Sequence, residues 1–180
     1  MPTRGDIFAP GRTDSIPFFG DLLNSTFGTL GVPAPLVDVL TKRGITSPTP
    51  IQAATLPDSL ARRDILGRGR TGSGKTYAFL LPLLARLAAS GRTRRPGRPR
   101  ALILAPTREL AGQIEDNLRP LAAPLGLTSQ TIFGGVGQNP QVTALKRGVD
   151  VIVACPGRLE DLMSQRPWAP LRMAASFVPP

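Results

Sequence analysis

The sequence predicts an α/β fold, a mostly parallel sheet flanked by helices, and three observations lead there. From Phe27 onward, helical patterns alternate with short apolar runs bounded by turns. A glycine-rich loop ending in Lys75-Thr76 stands between one apolar run and one helical pattern, the context of a strand–loop–helix unit. Hydrophobic residues make up 41 % of the 180-residue chain and charged residues 19 %, enough apolar material for one sizeable core.

The elements follow in order. Residues 1–26 mix Pro, Gly, Thr and Asp around a brief apolar cluster, Ile16 to Phe19, and read as an extension with little regular structure. Helical patterns are expected over 33–43 and 50–60, a strand over 64–67, and a helix over 75–89. Strands are then expected over 101–105, 129–133 and 150–154, and helices over 107–121, 140–147 and 158–164. In the 107–121 helix, Leu110, Ile114, Leu118 and Leu121 recur at intervals that place them on one face, and Pro120 and Pro124 should end or kink it. Residues 27–165 therefore read as one domain. Residues 166–180, with four prolines and no acidic residue, read as an irregular tail.

Composition removes whole reaction classes. With no histidine, the chain supplies no His general base, no Ser-His-Asp triad and no imidazole metal ligand. The single cysteine, Cys155, forms no internal disulfide and no multi-thiolate zinc site, which fits a reducing cytoplasm. No apolar stretch is long enough to span a membrane, and the first residues lack the apolar segment of a signal peptide, so a cytoplasmic protein is expected. The net charge of +10 is uneven, because Arg92, Arg94, Arg95, Arg98 and Arg100 lie within one short segment. Interspersed Pro and Gly make that segment a solvated loop whose guanidinium groups suit phosphates.

The most specific local signal is Gly69-Arg70-Thr71-Gly72-Ser73-Gly74-Lys75-Thr76, which satisfies G-x-x-x-x-G-K-[ST]. Glycines let successive N–H groups converge on phosphate oxygens, and the helix that begins there adds the positive end of its dipole. Lys75 is the expected partner of the β and γ phosphates and the Thr76 hydroxyl that of a Mg²⁺ ion, which makes these two the candidate catalytic residues and Thr76 the candidate metal ligand. Arg70, Thr71, Gly72, Ser73 and Gly74 complete the nucleotide-binding candidates.

Other segments narrow the class of NTPase. Phe27 precedes Gly44-Ile45-Thr46-Ser47-Pro48-Thr49-Pro50-Ile51-Gln52, which resembles the adenine-reading Q motif of DEAD-box RNA helicases. Downstream, Ala105-Pro106-Thr107-Arg108-Glu109-Leu110-Ala111, then Gly134-Gly135, then Cys155-Pro156-Gly157-Arg158 resemble that family's motif Ia, GG element and motif Ib. The resemblance implies an incomplete RecA-like P-loop NTPase domain, with ATP and Mg²⁺ as cofactors and the RNA sugar-phosphate backbone as partner. It implies that Gln52 pairs with the adenine edge and that Phe27 anchors the base region. It also implies that Pro106, Thr107, Arg108, Gly134, Gly135, Pro156, Gly157 and Arg158 contact RNA with little sequence preference. The parent reaction would be ATP hydrolysis coupled to RNA unwinding.

The chain departs from the family at four points. Ile45 stands where an aromatic is frequent, Cys155 where threonine is usual, and Gly69 where alanine is frequent; the last should be tolerated in a turn. No Asp-Glu-Ala-Asp motif is present, and no acidic residue follows Asp161. These residues alone are therefore expected to bind nucleotide and RNA weakly without unwinding. The alternative is a non-enzymatic RNA- or partner-binding remnant that keeps the basic surface.

Overall fold

A computed structural model of the chain describes residues 25–165 and the backbone of a strand at Ala174–Phe177. The helices are α1 (Ala34–Lys42), α2 (Pro50–Leu60), α3 (Lys75–Ala89), α4 (Arg108–Ala122), α5 (Gln138–Arg147) and α6 (Pro156–Ser164). The strands are β1 (Ala101–Leu104), β2 (Ser129–Ile132), β3 (Val151–Ala154) and β4 (Ala174–Phe177). They form one parallel sheet in the order β2-β3-β1-β4, with Val151 opposite both Ala101 and Ser129. All of these strands run the same way. The loops that follow β1, β2 and β3 consequently leave the sheet at one edge, and the loops that precede them enter at the other.

Side chains alternate across the pleat and divide the core in two. Ile103, Val151 and Val153 face a layer built from Leu80, Leu81 and Leu84 of α3 and Ile114 and Leu118 of α4. Leu102, Ile132 and Ile152 face Leu145 of α5 and Leu159 and Leu162 of α6. Covered on both faces, β1 and β3 are continuous apolar runs, as buried parallel strands are. Helix α4 buries Ile114, Leu118 and Leu121 as its periodicity predicts, and Thr107 caps it by accepting a 3.2 Å hydrogen bond from the Leu110 N–H. Pro120 lies inside its last turn, and a 3₁₀ turn, Ala123–Leu125, follows.

Two expectations are corrected. Residues 64–67 form no strand: among the described residues they pair with none, and Ile65 and Leu66 are exposed, Leu66 at 95 %. A four-residue segment with two apolar residues becomes a strand only where a neighbour offers a hydrogen-bonding edge, so local composition could not decide it. The reading of 166–180 as wholly irregular fails in the other direction, because Ala174–Phe177 pairs with the open side of β1. Of the 1–26 extension, residues 1–24 lie outside the described residues.

Where the strands enter the sheet, one carboxylate organises the chain. Asp150 is buried and accepts from the Thr128 N–H at 3.0 Å and from Arg100 at 2.8 Å, with Arg94 at 3.5 Å. Arg100 also donates to the Leu87 carbonyl and to Ser90 Oγ at the end of α3. Three chain segments that converge on the starts of β1, β2 and β3 are thereby fixed together. Removing a buried partner of a charged pair typically costs about 3–5 kcal/mol, because the other charge is left uncompensated. Urea denaturation of Asp150→Ala is expected to show a loss of about 3 kcal/mol by that precedent. By contrast Asp58→Ala, which removes an exposed pair with Arg63, is expected to change stability by less than about 1 kcal/mol.

Candidate functional site

The loop from Gly69 to Thr76 runs into the N-terminus of α3, whose first N–H groups have no partner within the helix. Gly74 is the N-cap and sits at φ +92°, and Gly72 sits at φ +79°. At Gly74 an added Cβ would lie 2.5 Å from Thr49 Oγ1 and 2.6 Å from Gln52 Nε2. The loop thus needs glycine there for both its conformation and its neighbours. At Gly69 a Cβ would meet Ser73 Oγ at 2.7 Å and Ile51 Cδ1 at 2.9 Å, so the alanine frequent in the family would shift both side-chain ends.

Lys75 Nζ donates to the Gly69 carbonyl and, at 3.2 Å, to that of Arg70. The loop is therefore wrapped on its own lysine. Arg70 and Thr71 are exposed, while Ser73 and Thr76 are half-buried. Ser73 Oγ and Thr49 Oγ1 are buried polar atoms without a hydrogen-bond partner. A concave loop with a cation, helix N–H groups and two orphaned hydroxyls has the donor chemistry that a polyphosphate satisfies. Among the described residues no three His, Cys, Asp or Glu side chains gather where they could hold a metal ion.

Gln52 is tied directly to this loop. It is buried at 1 % exposure, its Oε1 accepts from the Thr49 N–H at 2.9 Å, and its Nε2 donates to the Gly74 carbonyl at 2.8 Å. The amide keeps one further N–H and one further lone pair. Read as a single residue it would belong on a helix surface; its burial follows from the close packing of α2 against the start of α3. Phe27 is 2 % exposed and lies within the main core, and Ile45 packs against that core.

A second group forms at the edge where β1, β2 and β3 end. Pro106, Thr107 and Arg108 follow β1, Gly134 and Gly135 follow β2, and Pro156, Gly157 and Arg158 open α6 after β3. Arg108 and Arg158 each approach one of the two glycines: a Cβ on Gly135 would lie 3.3 Å from Arg108 Nη1, and one on Gly134 3.9 Å from Arg158 Nη2. Arg158 donates to the Val136 carbonyl at 3.2 Å and stands 3.9 Å from Asp161, while Arg108 pairs with Glu109 at 2.8 Å. Three segments separated in sequence thus present two guanidinium groups beside an exposed glycine pair. The Glu109 carboxyl is held below its usual range by a hydrogen bond from its own backbone and then by Arg108. The Cys155 thiol is pushed up by burial and by the charge of Glu109.

Sequence reasoning missed Thr49, Val136 and Asn117. Thr49 was signalled by its Thr-x-x-Gln spacing, a capping-box pattern. Nothing local marks Val136, used through its carbonyl, or Asn117, which accepts from the Tyr77 hydroxyl at 2.8 Å and joins α4 to the first turn of α3.

This fold and loop define an α/β domain of the phosphate-binding-loop type. A sequence profile described as DEAD/DEAH box helicase matches residues 49–177, and the chain belongs to that family. It is 47 % identical over 150 residues to DEAD-box ATP-dependent RNA helicase 3A, chloroplastic, of Zea mays, covering 82 % of this chain and 20 % of the relative. It is 45 % identical over 148 residues to ATP-dependent RNA helicase RhlB of Sodalis glossinidius, covering 80 % and 35 %. The crystal structure of the RNA helicase Prp28 from Chaetomium thermophilum bound to ADP superposes with a TM-score of 0.73 at 44 % identity, covering 82 % of this chain and 37 % of that one. The fold is therefore that of a RecA-like helicase domain. The chain spans about a fifth to a third of the length of these curated relatives.

Substituting Gly74→Ala is expected to lower stability by at least about 1–2 kcal/mol, the cost of a left-handed conformation for an L-residue, and to break the Gln52 contact; thermal unfolding followed by circular dichroism checks this. Cys155 is expected to alkylate with iodoacetamide more slowly than free cysteine near neutral pH and to gain rate only above the ordinary thiol range, because its thiolate is disfavoured.

Proposed function

We propose that this chain carries the ATP-binding and part of the RNA-binding surface of an ATP-dependent RNA helicase of the DEAD-box type. The observation that carries the reading is the bond from Gln52 to the Gly74 carbonyl. It joins the segment resembling an adenine reader to the loop suited to phosphates. Gln52, oriented by Thr49, offers its remaining donor and acceptor to adenine, a pattern that guanine does not match. Phe27 supports that region from the core.

Lys75 leaves the Gly69 and Arg70 carbonyls to meet the β and γ phosphates, and the helix N–H groups and the Ser73 hydroxyl meet the remaining oxygens. The Thr76 hydroxyl would hold a Mg²⁺ ion, which would neutralise phosphate charge when bound. Arg108 and Arg158, with Thr107 and the exposed Gly134-Gly135 and Pro156-Gly157 backbone, hold an RNA phosphate chain, which gives affinity with little sequence preference. ATP hydrolysis coupled to unwinding belongs to the whole helicase in this reading. A cytoplasmic location is part of it and rests on the lone cysteine.

Competition against a fluorescent ATP analogue tests the reading. ATP is expected to displace the probe better than GTP, and Gln52→Ala to remove that preference. Lys75→Ala is expected to weaken ATP by about tenfold or more, the loss of one charge-assisted contact. Equal displacement by GTP in the unaltered protein would overturn the adenine assignment.

A further inference from the structure

We propose that the chain carries a second RNA-backbone surface at the opposite edge of the sheet, built from Arg92, Arg95 and Arg98 of the loop before β1 and from Lys146 and Arg147 at the end of α5. The candidate RNA contacts described above stand where β1, β2 and β3 end. These five cations stand where β1 and β3 begin. About 13 Å of strand separates the two edges, at roughly 3.3 Å per residue, so one short phosphate path does not serve both.

The loop is a built feature. Arg95 and Arg98 form an antiparallel bridge around Pro96 and Gly97, and the Arg98 N–H donates to the Arg95 carbonyl at 3.2 Å. The Gly97 N–H donates to the Leu145 carbonyl at 2.9 Å, which docks the turn on the end of α5. Gly148 sits at φ +91°, and a Cβ there would lie 3.1 Å from the Arg95 carbonyl carbon and oxygen. Loop and helix end are therefore in contact and bring the five cations to one surface. An anchored turn loses less freedom on binding than a free arginine tail.

Charge at this edge is unbalanced. The loop, α5, β1 and β3 contain no acidic residue, and Asp150, in the turn between α5 and β3, is buried and spent on Arg100, Arg94 and Thr128. Arg92, Arg95, Arg98, Lys146 and Arg147 are exposed, and among the described residues no ion pair holds them.

The chemistry selects the partner. Among the described residues the large exposed apolar side chains are Ile65, Leu66, Val136 and Met163, and none belongs to this surface. It lacks the apolar anchor of a protein hot spot and the aromatic platform on which single-stranded bases stack. Planar guanidinium groups fit phosphate oxygens in pairs. Backbone phosphates, most densely presented by duplex RNA, are the ligand that remains.

The test uses the full chain and a fluorescein-labelled RNA duplex of about 20 base pairs, long enough to cover the roughly 16 base pairs that a duplex-binding domain spans. Affinity is followed by anisotropy without nucleotide as salt rises from about 50 to 200 mM. In the triple variant Arg92→Gln, Arg95→Gln, Arg98→Gln, the slope of log affinity against log salt is expected to shrink by about 2–3, close to one per lost phosphate contact. The corresponding Arg→Lys triple variant is expected to keep the slope. An unchanged slope in the Gln variant overturns the proposal, and so does loss of slope in the Lys variant. If circular dichroism shows the Gln variant unfolded, Lys146→Gln with Arg147→Gln is measured instead, with an expected loss of about 1–2 in slope. Binding to anionic lipid vesicles with an unaltered RNA slope would assign the patch to membranes and overturn the RNA assignment. Loss of ATP selectivity in the Gln52→Ala protein leaves these slopes untouched, so the two readings fail separately.

Discussion

Parallel pairing of β1 with β3 is the constraint on which the rest depends. Because Ala101 stands opposite Val151 and Leu104 opposite Ala154, the segments after both strands must leave on the same side. That register, and the matching one between β2 and β3, brings Arg108, the Gly134-Gly135 pair and Arg158 together from positions far apart in sequence. The Asp150 cluster holds the other end, where Arg100 ties β1 to the end of α3. A sheet fixed at its start can present loops at its finish without those loops having to be rigid themselves.

The Gly69–Thr76 loop depends on a second constraint, the close approach of α2 to the start of α3. Gly74 has no room for a side chain because Thr49 and Gln52 occupy that space. The Gln52 amide therefore sees the same carbonyl that begins α3, whose first helical bond is from Ala78 to Gly74. Any movement of the loop toward phosphates moves the atom to which Gln52 is bonded. The segment proposed to read the base and the loop proposed to bind phosphates are thus linked through one hydrogen bond, while Lys75 donates to the Gly69 and Arg70 carbonyls.

Much of this was legible in the sequence, and the rest was hidden for definable reasons. The six helices lie where periodicity and capping residues put them, within a few residues at their ends, and α2 and α3 at the expected bounds. Glycine spacing and Lys-Thr marked the loop, since the chemistry there needs those residue types in a fixed local order. Residues 64–67 looked like a strand by composition but lack a pairing neighbour among the described residues, and Ala174–Phe177 looked like part of a tail but found one. Strand identity in short runs is a property of the sheet, which no local pattern contains. The burial of Gln52, the carbonyl contact from Arg158 to Val136, and the docking of the arginine loop on α5 likewise arise from tertiary approach alone.

The most direct test of the central claim is backbone hydrogen exchange, read by mass spectrometry, with and without Mg-ATP and Mg-GTP. The linkage through Gln52 predicts that ATP slows exchange both in residues 69–78 and around Thr49 to Ala53, and that GTP does so weakly or not at all. Protection confined to the loop and equal for the two nucleotides would contradict it, since phosphate binding would then proceed without the base-reading segment.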